Sequence, residues 1–316
     1  AILKVASSNQ TCQGATLYIT MSPCQGCSKL IHQSGIVRVV YAKAYKDTTG
    51  LDFLKKAGGA PANVAAAIAA LGGKVNMAAK VGKDPFGQHL IELLQTMGVN
   101  TNWVLQDPNY FTTLAFVSLM EDGERDFYFN RGADGQLSPN DLTALNISDY
   151  GIVHFGSATA FLPGPLQTTY THLLAEAKSN NIIVSFDPNY RHLLFQNNSQ
   201  SFIEQCWPFI EQCHFFKLSE EEALLITACN SVQDAAAALR KKTSAVFAIT
   251  LGKEGTLFSL EDHLEIIGSI NITPIDATGA GDAFAGGFIG YLAQQDNLKI
   301  RTFKEAVVHG NVMGAF

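Results

Sequence analysis

The chain predicts an α/β fold, a doubly wound and mostly parallel sheet with helices on both faces, preceded by a short α/β segment. Three observations carry this. Short apolar runs rich in β-branched residues alternate with helical patterns over most of the length. Glycine turns open apolar helices at "GGAPANVAAAIAALGG" and "ATGAGDAFAGGF". Of 316 residues, 47% are hydrophobic and 16% charged, enough to bury a sizeable core.

Residues 1–8 read as the tail of a helix, and 16–21 (TLYITM) alternate as a strand. Residues 26–34 read as a helix closed by Gly35, and 36–42 (IVRVVYA) as a buried strand. From Gly58 the texture changes. A glycine turn precedes an Ala-rich helix over about 62–71, "KVNMAAKVG" is a strand, and "DPFGQHLIELLQTMG" is a helix. Asp84 is its N-cap, Pro85 its first residue and Gly98 its stop. "TLAFVSLMEDGERDFYF" is a hairpin turning at Asp122-Gly123. There follow strand 151–155, helix 166–179, strand 182–186, helix 199–212, strand 214–217, helices 219–227 and 231–241, and strand 245–250. The last residues, "FKEAVVHGNVMGAF", carry a helical pattern.

Composition narrows the function. Net charge is −6, with 22 Lys and Arg against 28 Asp and Glu, so nucleic acid is not expected as a general partner. No apolar run suffices to span a bilayer and no leader pattern is visible. Cys12, Cys24, Cys27, Cys206, Cys213 and Cys229 are too scattered for a disulfide scaffold, which points to a reducing cytoplasm.

The most informative stretch is "PIDATGAGDAFAGGFIGYL". Gly279, Ala280 and Gly281 follow a short strand and open a helix, so backbone N–H groups can converge on an anion where the helix dipole also favours one. Asp282 lies in that first turn. A carboxylate beside an anion cradle suits a general base that takes the proton of a nucleophile attacking phosphorus; alone, the same pattern is also an Asp capping a glycine turn. Three further stretches lie at strand ends. "ITLGKEG" leads into a Gly252/Gly255 loop that a nucleotide can approach closely. "FDPNYR" places Asp187, Asn189 and Arg191 at the carboxyl edge of the sheet, where ligands bind. "KLSEEEA" offers a carboxylate cluster suited to hydrated Mg²⁺.

On these motifs residues 58–316 resemble the ribokinase-like (phosphofructokinase-B type) sugar kinases, and among them the fructokinases. "GGAPANVAAAIAALGGKVNMAAKVGKDPFG" is similar to the first family signature and "DATGAGDAFAGGF" to the second. The resemblance implies ATP-dependent phosphorylation of a sugar hydroxyl, fructose being favoured. It makes Asp282 the base and the N–H groups of Gly279 to Asp282 the anion hole. Gly59 and Asn63 would touch the sugar. Thr250, Gly252 and Gly255 would line the nucleotide site, with Lys217 and Asn311 on the same side. Glu222 corresponds to a glutamate linked to Mg²⁺, with Ser219 where the family usually has Asn. Asp276 and Thr278 match a loop that often holds a monovalent cation such as K⁺.

The first 57 residues resemble another family, the zinc-dependent deoxycytidylate deaminases, across "ATLYITMSPCQGCSKLIHQSGIVRVVYAKAYKDTTGLDFL". Cys24 and Cys27, at C-x-x-C spacing, supply half of a tetrahedral zinc site. The family's third ligand and its proton-shuttling Glu belong to an H-x-E that precedes this strand. The single H-x-E here, His263-Leu264-Glu265, lies in a strand-like stretch on the wrong side of Cys24 and reads as coincidence. Cys12 could serve as a third ligand by type, and His32 reads as a partly buried helix residue. The expected organisation is therefore residues 1–57 as a truncated deaminase-like segment, joined near residues 56–59 to a kinase domain, residues 58–316. That domain is expected to lack its first strand and lid, since Asp52 leaves no room for them, and its C-terminal end; its transfer activity would then be impaired. A composite without activity and a zinc deaminase remain the other readings, and the missing His and Glu weigh against the latter.

Overall fold

The computed structural model describes residues 16–21, 23, 27–28, 31, 36, 38–43, 58–119, 125–195, 198–270 and 279–315. The helix tail expected over 1–8, the turn at Asp122-Gly123 and the residues Cys12, Cys24, His32, Asp52, Asp276 and Thr278 lie outside them. The chain divides into two compact units, residues 1–57 with 117–127, and residues 58–116 with 128–316.

In the first unit β1 (Thr16–Met21) and β2 (Arg38–Lys43) pair in parallel, Thr16 opposite Arg38 and Met21 opposite Lys43. These are the two strands expected from "TLYITM" and "IVRVVYA".

In the second unit, α1 (Ala60–Ala70) starts two residues earlier than expected. Gly59 is its N-cap at φ 125°, and Pro61 occupies the first turn, where its missing N–H costs nothing. β3 (Asn76–Gly82) follows, then α2 (Pro85–Thr96), whose N-cap Asp84 accepts from the N–H groups of Phe86 and Gly87. β4 (Asn100–Asp107) pairs with β3 in parallel. β5 (Leu114–Leu119) and β6 (Arg125–Asn130) form a two-stranded sheet whose residues are shared between the two units.

The main sheet follows. Its strands are β7 (Ile152–Gly156), β8 (Ile183–Asp187), β9 (Phe215–Ser219), β10 (Val246–Thr250), β11 (Thr256–Leu260) and β12 (His263–Ile267), in the spatial order β12-β11-β10-β9-β8-β7. β7 to β10 run parallel, and β10, β11 and β12 antiparallel. The helices are α3 (Pro165–Ser179), α4 (Ser199–Gln212), α5 (Glu220–Thr227), α6 (Val232–Arg240), α7 (Ala280–Leu292) and α8 (Ile300–Ala315).

Strand alternation sorts the core into two layers. On β9 and β10, Phe216, Leu218, Phe247 and Ile249 pack with α3 to α6; Phe215, Val246 and Ala248 face the other way, onto α1, α7 and α8. Phe215 stacks on Phe288 of α7 at 3.7 Å between ring centroids. This is the doubly wound arrangement that the strand–helix alternation predicts. Its parallel strands all end on one edge, and the expected polar stretches lie there.

Candidate active site

The candidate site forms where three segments meet: the start of α1, the loop after β8 and the first turn of α7. Gly279 caps α7 in the left-handed region (φ 82°), so the chain turns sharply before Ala280 and Gly281 open the helix. That turn buries Asp282, which is 6% exposed. Asn63 of α1 donates to Asp282 Oδ2 at 2.8 Å, and Asn189 Nδ2 lies 3.5 Å from Oδ1. The first bond is short and the second long, so Oδ1 keeps accepting capacity for a further proton. Burial raises the Asp282 pKa above the ordinary aspartate value; Asn63, Lys217, Arg191 and Asn189 pull the other way without cancelling it.

Asn189 takes up the left-handed conformation (φ 50°) and is buried, which turns its amide toward Asp282. Arg191 donates to the Tyr190 carbonyl at 3.0 Å and to Asn189 Oδ1 at 3.3 Å. Asp187, at the end of β8, is fully buried, and its two oxygens lie 3.4 and 3.3 Å from Lys217 Nζ. Burial and the nearby charges of Glu222 and Asp282 push the Asp187 carboxyl up to about 7, against the pull of Lys217. Burial lowers the pKa of the Lys217 ammonium, but Asp187, Glu222 and Asp282 outweigh it, so Lys217 stays charged.

Glu222 serves a structural purpose as well. Its Oε2 accepts from Ser219 N at 2.7 Å while Ser219 Oγ accepts from Glu222 N, a capping box at the start of α5. Its Oε1 accepts from Tyr190 N at 2.7 Å and so ties the β8 loop to the end of β9. Serine at position 219 is thereby explained locally: it is an N-cap.

The remaining expected residues sit farther along the same edge. Thr250 closes β10, its hydroxyl 3.3 Å from the Leu218 carbonyl. Gly252 (φ 58°) faces open space, so its backbone can be approached. Gly255 is required for packing, because a Cβ there would lie 2.2 Å from the Ile267 carbonyl oxygen. Asn311 of α8 is buried and committed within the fold: Thr256 Oγ1 donates to its Oδ1 at 2.6 Å, and its Nδ2 donates to the carbonyls of Ile267 and Gly268. It holds α8 to β11 and β12 beside the Gly252–Gly255 loop. Gly59 is exposed at the mouth of α1, one turn before Asn63. Cys27 is exposed, and its zinc-pair partner Cys24 lies outside the described residues.

Two features are not evident from the sequence motifs. The Lys217–Asp187 pair is one; its signal is a lysine in the apolar strand Phe215-Phe216-Lys217-Leu218. The other is His154 on β7, whose Nδ1 lies 3.0 Å from Ser185 Oγ while Nε2 is enclosed without a partner. Burial, then the Lys217 charge, lowers its pKa to about 4, so the ring is neutral near pH 7.

A buried carboxylate with a free lone pair thus lies at a glycine-opened helix start, on the carboxyl edge of a doubly wound, ribokinase-like sheet, where such sheets bind ligands. Residues 34–316 match the family model described as pfkB family carbohydrate kinase. Residues 1–43 match the cytidine and deoxycytidylate deaminase zinc-binding region, overlapping the first match at residues 34–43. Fructokinase-1 of Oryza sativa subsp. japonica is 34% identical over 273 residues, 83% of this chain and 82% of its own. The fructokinase of Vibrio cholerae O395, solved with fructose, ADP and calcium, superposes with a TM-score of 0.75 at 30% identity, covering 82% of this chain and 83% of that one. Aminoimidazole riboside kinase from Salmonella enterica, complexed with aminoimidazole riboside and an ATP analogue, superposes at 0.74 with 25% identity, over 82% and 84%. The chain belongs to the pfkB family of carbohydrate kinases. Among its described residues, no helix is long and apolar enough to cross a membrane.

Proposed function

We propose that the chain transfers the terminal phosphoryl group of ATP to a hydroxyl of fructose, with Asp282 as general base. The observation that carries this is the pairing of Asp282 with Asn63 and Asn189 in the first turn of α7. The two amides orient the carboxylate, Oδ1 takes the proton of the sugar hydroxyl, and the N–H groups of Gly279 to Asp282 face the charge that develops on the transferring group. The fructokinase relatives favour fructose; the aminoimidazole riboside kinase neighbour marks a riboside as the other acceptor to test.

Mg²⁺ fits this site. The carboxylates of Asp187, Glu222 and Asp282 all act on Lys217, and Arg191 adds a second cation near Asp282, so three carboxylates face two cations. Among the described residues no group of three or more His, Cys, Asp or Glu is gathered as a dedicated cage. Mg²⁺ typically keeps several waters and binds through one or two carboxylates and substrate phosphates, so Glu222 would hold it through water. The ion would supply charge neutralisation on the phosphates. The monovalent cation loop, Asp276 and Thr278, belongs to the same proposal. For residues 1–57 we retain the reading of a joined deaminase-like segment, supported by the match over 1–43.

The test is coupled ADP release with fructose and with aminoimidazole riboside as acceptors. Fructose-dependent turnover is expected. Asp282→Asn should lower kcat by at least ~10²-fold, the usual worth of a general base, while nucleotide still binds. Turnover with the riboside alone would move the acceptor, and wild-type-like turnover of Asp282→Asn would remove the base assignment.

A further inference from the structure

We propose that Gly286 is a positioning residue for Asp282: by letting α1 and α7 touch, it sets the hydrogen bond that Asn63 of α1 donates to the Asp282 carboxylate. The inference rests on the kinase reading above and deepens it.

The two helices meet in matched turns. Gly286 follows Asp282 by four positions on α7, and Ala67 follows Asn63 by four on α1, so each pair lies on one face of its helix. Asn63 meets Asp282 at 2.8 Å. One turn on, a Cβ built on Gly286 would lie 2.4 Å from the Ala67 Cβ and 3.0 Å from the Val64 carbonyl oxygen. A further turn on, a Cβ on Gly290 would lie 3.1 Å from Leu71 Cδ1. Residues 63, 67 and 71 thus face 282, 286 and 290 in the same order, so the helices run parallel here. The first of the three contacts joins the base to its donor, and the middle one is the tightest. Gly290 meets the far end of a flexible side chain; Gly286 meets a β-carbon and main chain, neither of which can turn aside.

The reach of Asn63 depends on that contact. An asparagine side chain is short, and the separation of two packed helices follows the side chains between them. A methyl at 286 needs about 3.5 Å from the Ala67 Cβ, roughly 1 Å more than the 2.4 Å available. Moving α1 off by that much takes the Asn63 bond from 2.8 Å to beyond the useful limit of about 3.5 Å. The other groups that face Asp282 are not carried by α1. Asn189 and Arg191 lie in the loop after β8, Asp187 ends β8, and Lys217 is on β9. Separation of the helices therefore removes one donor selectively. Asn63 holds the Asp282 carboxyl down, so without it the group titrates at higher pH and the carboxylate loses one of its two guides. Gly287, the next residue, supplies a comparison. Its Cβ would lie 2.8 Å from both the His309 carbonyl oxygen and Met313 Cγ, so a methyl there presses on α8 instead.

The test titrates Asp282 directly, by NMR of the full chain with carboxyl-labelled aspartate, its signal assigned with Asp282→Asn; no substrate is needed. Beside it, kcat is measured by coupled ADP release with fructose. Gly286→Ala should move the Asp282 titration to higher pH and lower kcat by about 10–100-fold, as a displacement near 1 Å can. Added to Asn63→Ala, it should change kcat by less than ~2-fold, the mark of one residue acting through another. Trading the methyl between helices, Ala67→Gly beside Gly286→Ala, should restore kcat to within ~5-fold of wild type, because the volume at the contact is conserved. Gly287→Ala should leave the titration where it is. Should Gly286→Ala fail to fold, Ala67→Val widens the same contact from a partly exposed position and carries the same expectations. A folded variant at that contact with the wild-type titration overturns the proposal. So does an equal shift from Gly287→Ala, or a kcat loss undiminished in Asn63→Ala. Shifted titrations in a chain that phosphorylates no acceptor keep the assignment of Gly286 to Asp282 and overturn the kinase reading; turnover of fructose without the shifts does the reverse.

Discussion

At the scale of single residues, Asp282 combines two demands that usually conflict. As the proposed base it must be buried, to lie where the phosphoryl group would be transferred, and ionised, to accept a proton. Burial raises its pKa above 3.8, and the donors Asn63 and Asn189 with the charges of Lys217 and Arg191 keep the rise in check. The base works as the carboxylate, so activity is full above its pKa and lost as pH falls through it. The acidic limb of kcat/KM against pH is therefore expected above the 3.8 of an ordinary aspartate. Because Asp187, pushed up to about 7, interacts with Asp282, that limb belongs to the cluster and not to one residue. A profile flat down to 3.8 would show that the resting environment does not control the reacting state.

At the scale of elements, the start of α5 joins folding to the site. Glu222 uses one oxygen to cap its own helix and the other to hold Tyr190 N, which fixes the loop carrying Asn189 and Arg191. Glutamine at 222 keeps one acceptor oxygen and turns an NH₂ group toward a donor. Glu222→Gln should therefore cost about 1–3 kcal/mol, the penalty of a buried N–H left unpaired, read as a lower urea midpoint at unchanged slope. An unchanged midpoint would show that the tie is dispensable.

The same elements show what the sequence can reveal. α4 occupies the expected residues 199–212, and Asp84 caps α2 as expected, because such signals lie within a few residues of one another. β4 carries no comparable signal: its Asn100, Asn102 and Asp107 mask a strand in which Val104 alone is buried. The residues of the site are legible as motifs, but their partnerships are not. Asn63 and Asp282 are 219 positions apart, and Asn189 and Asp282 are 93 apart. Only the packing of α1 and α7 on the sheet brings them together.

At the scale of the molecule, the site is thus a product of the whole second unit. Asn63 is carried by α1, and Asp282 by α7, which shares its core layer with α1 and α8. Asp187 and Lys217 are carried by β8 and β9, between the two layers. No short segment of the chain contains the constellation, so a ligand that needs all of it binds the folded state and not the unfolded one. Mass action then fixes the size of the effect. Nucleotide at about 100 times its Kd adds roughly 2.7 kcal/mol to the stability of the folded form. For a domain of this size each kcal/mol moves Tm by about 2–4 °C, so ATP with Mg²⁺ should raise Tm by roughly 5–10 °C. Asp282→Asn should keep most of that rise, because it removes only the proposed base and leaves the helix start in place. Scanning calorimetry of both proteins with and without nucleotide checks this. A wild-type Tm indifferent to saturating ATP would mean that the segments meet without forming a binding site. A rise abolished by Asp282→Asn would mean that Asp282 is needed to assemble the site, with its chemistry a separate question.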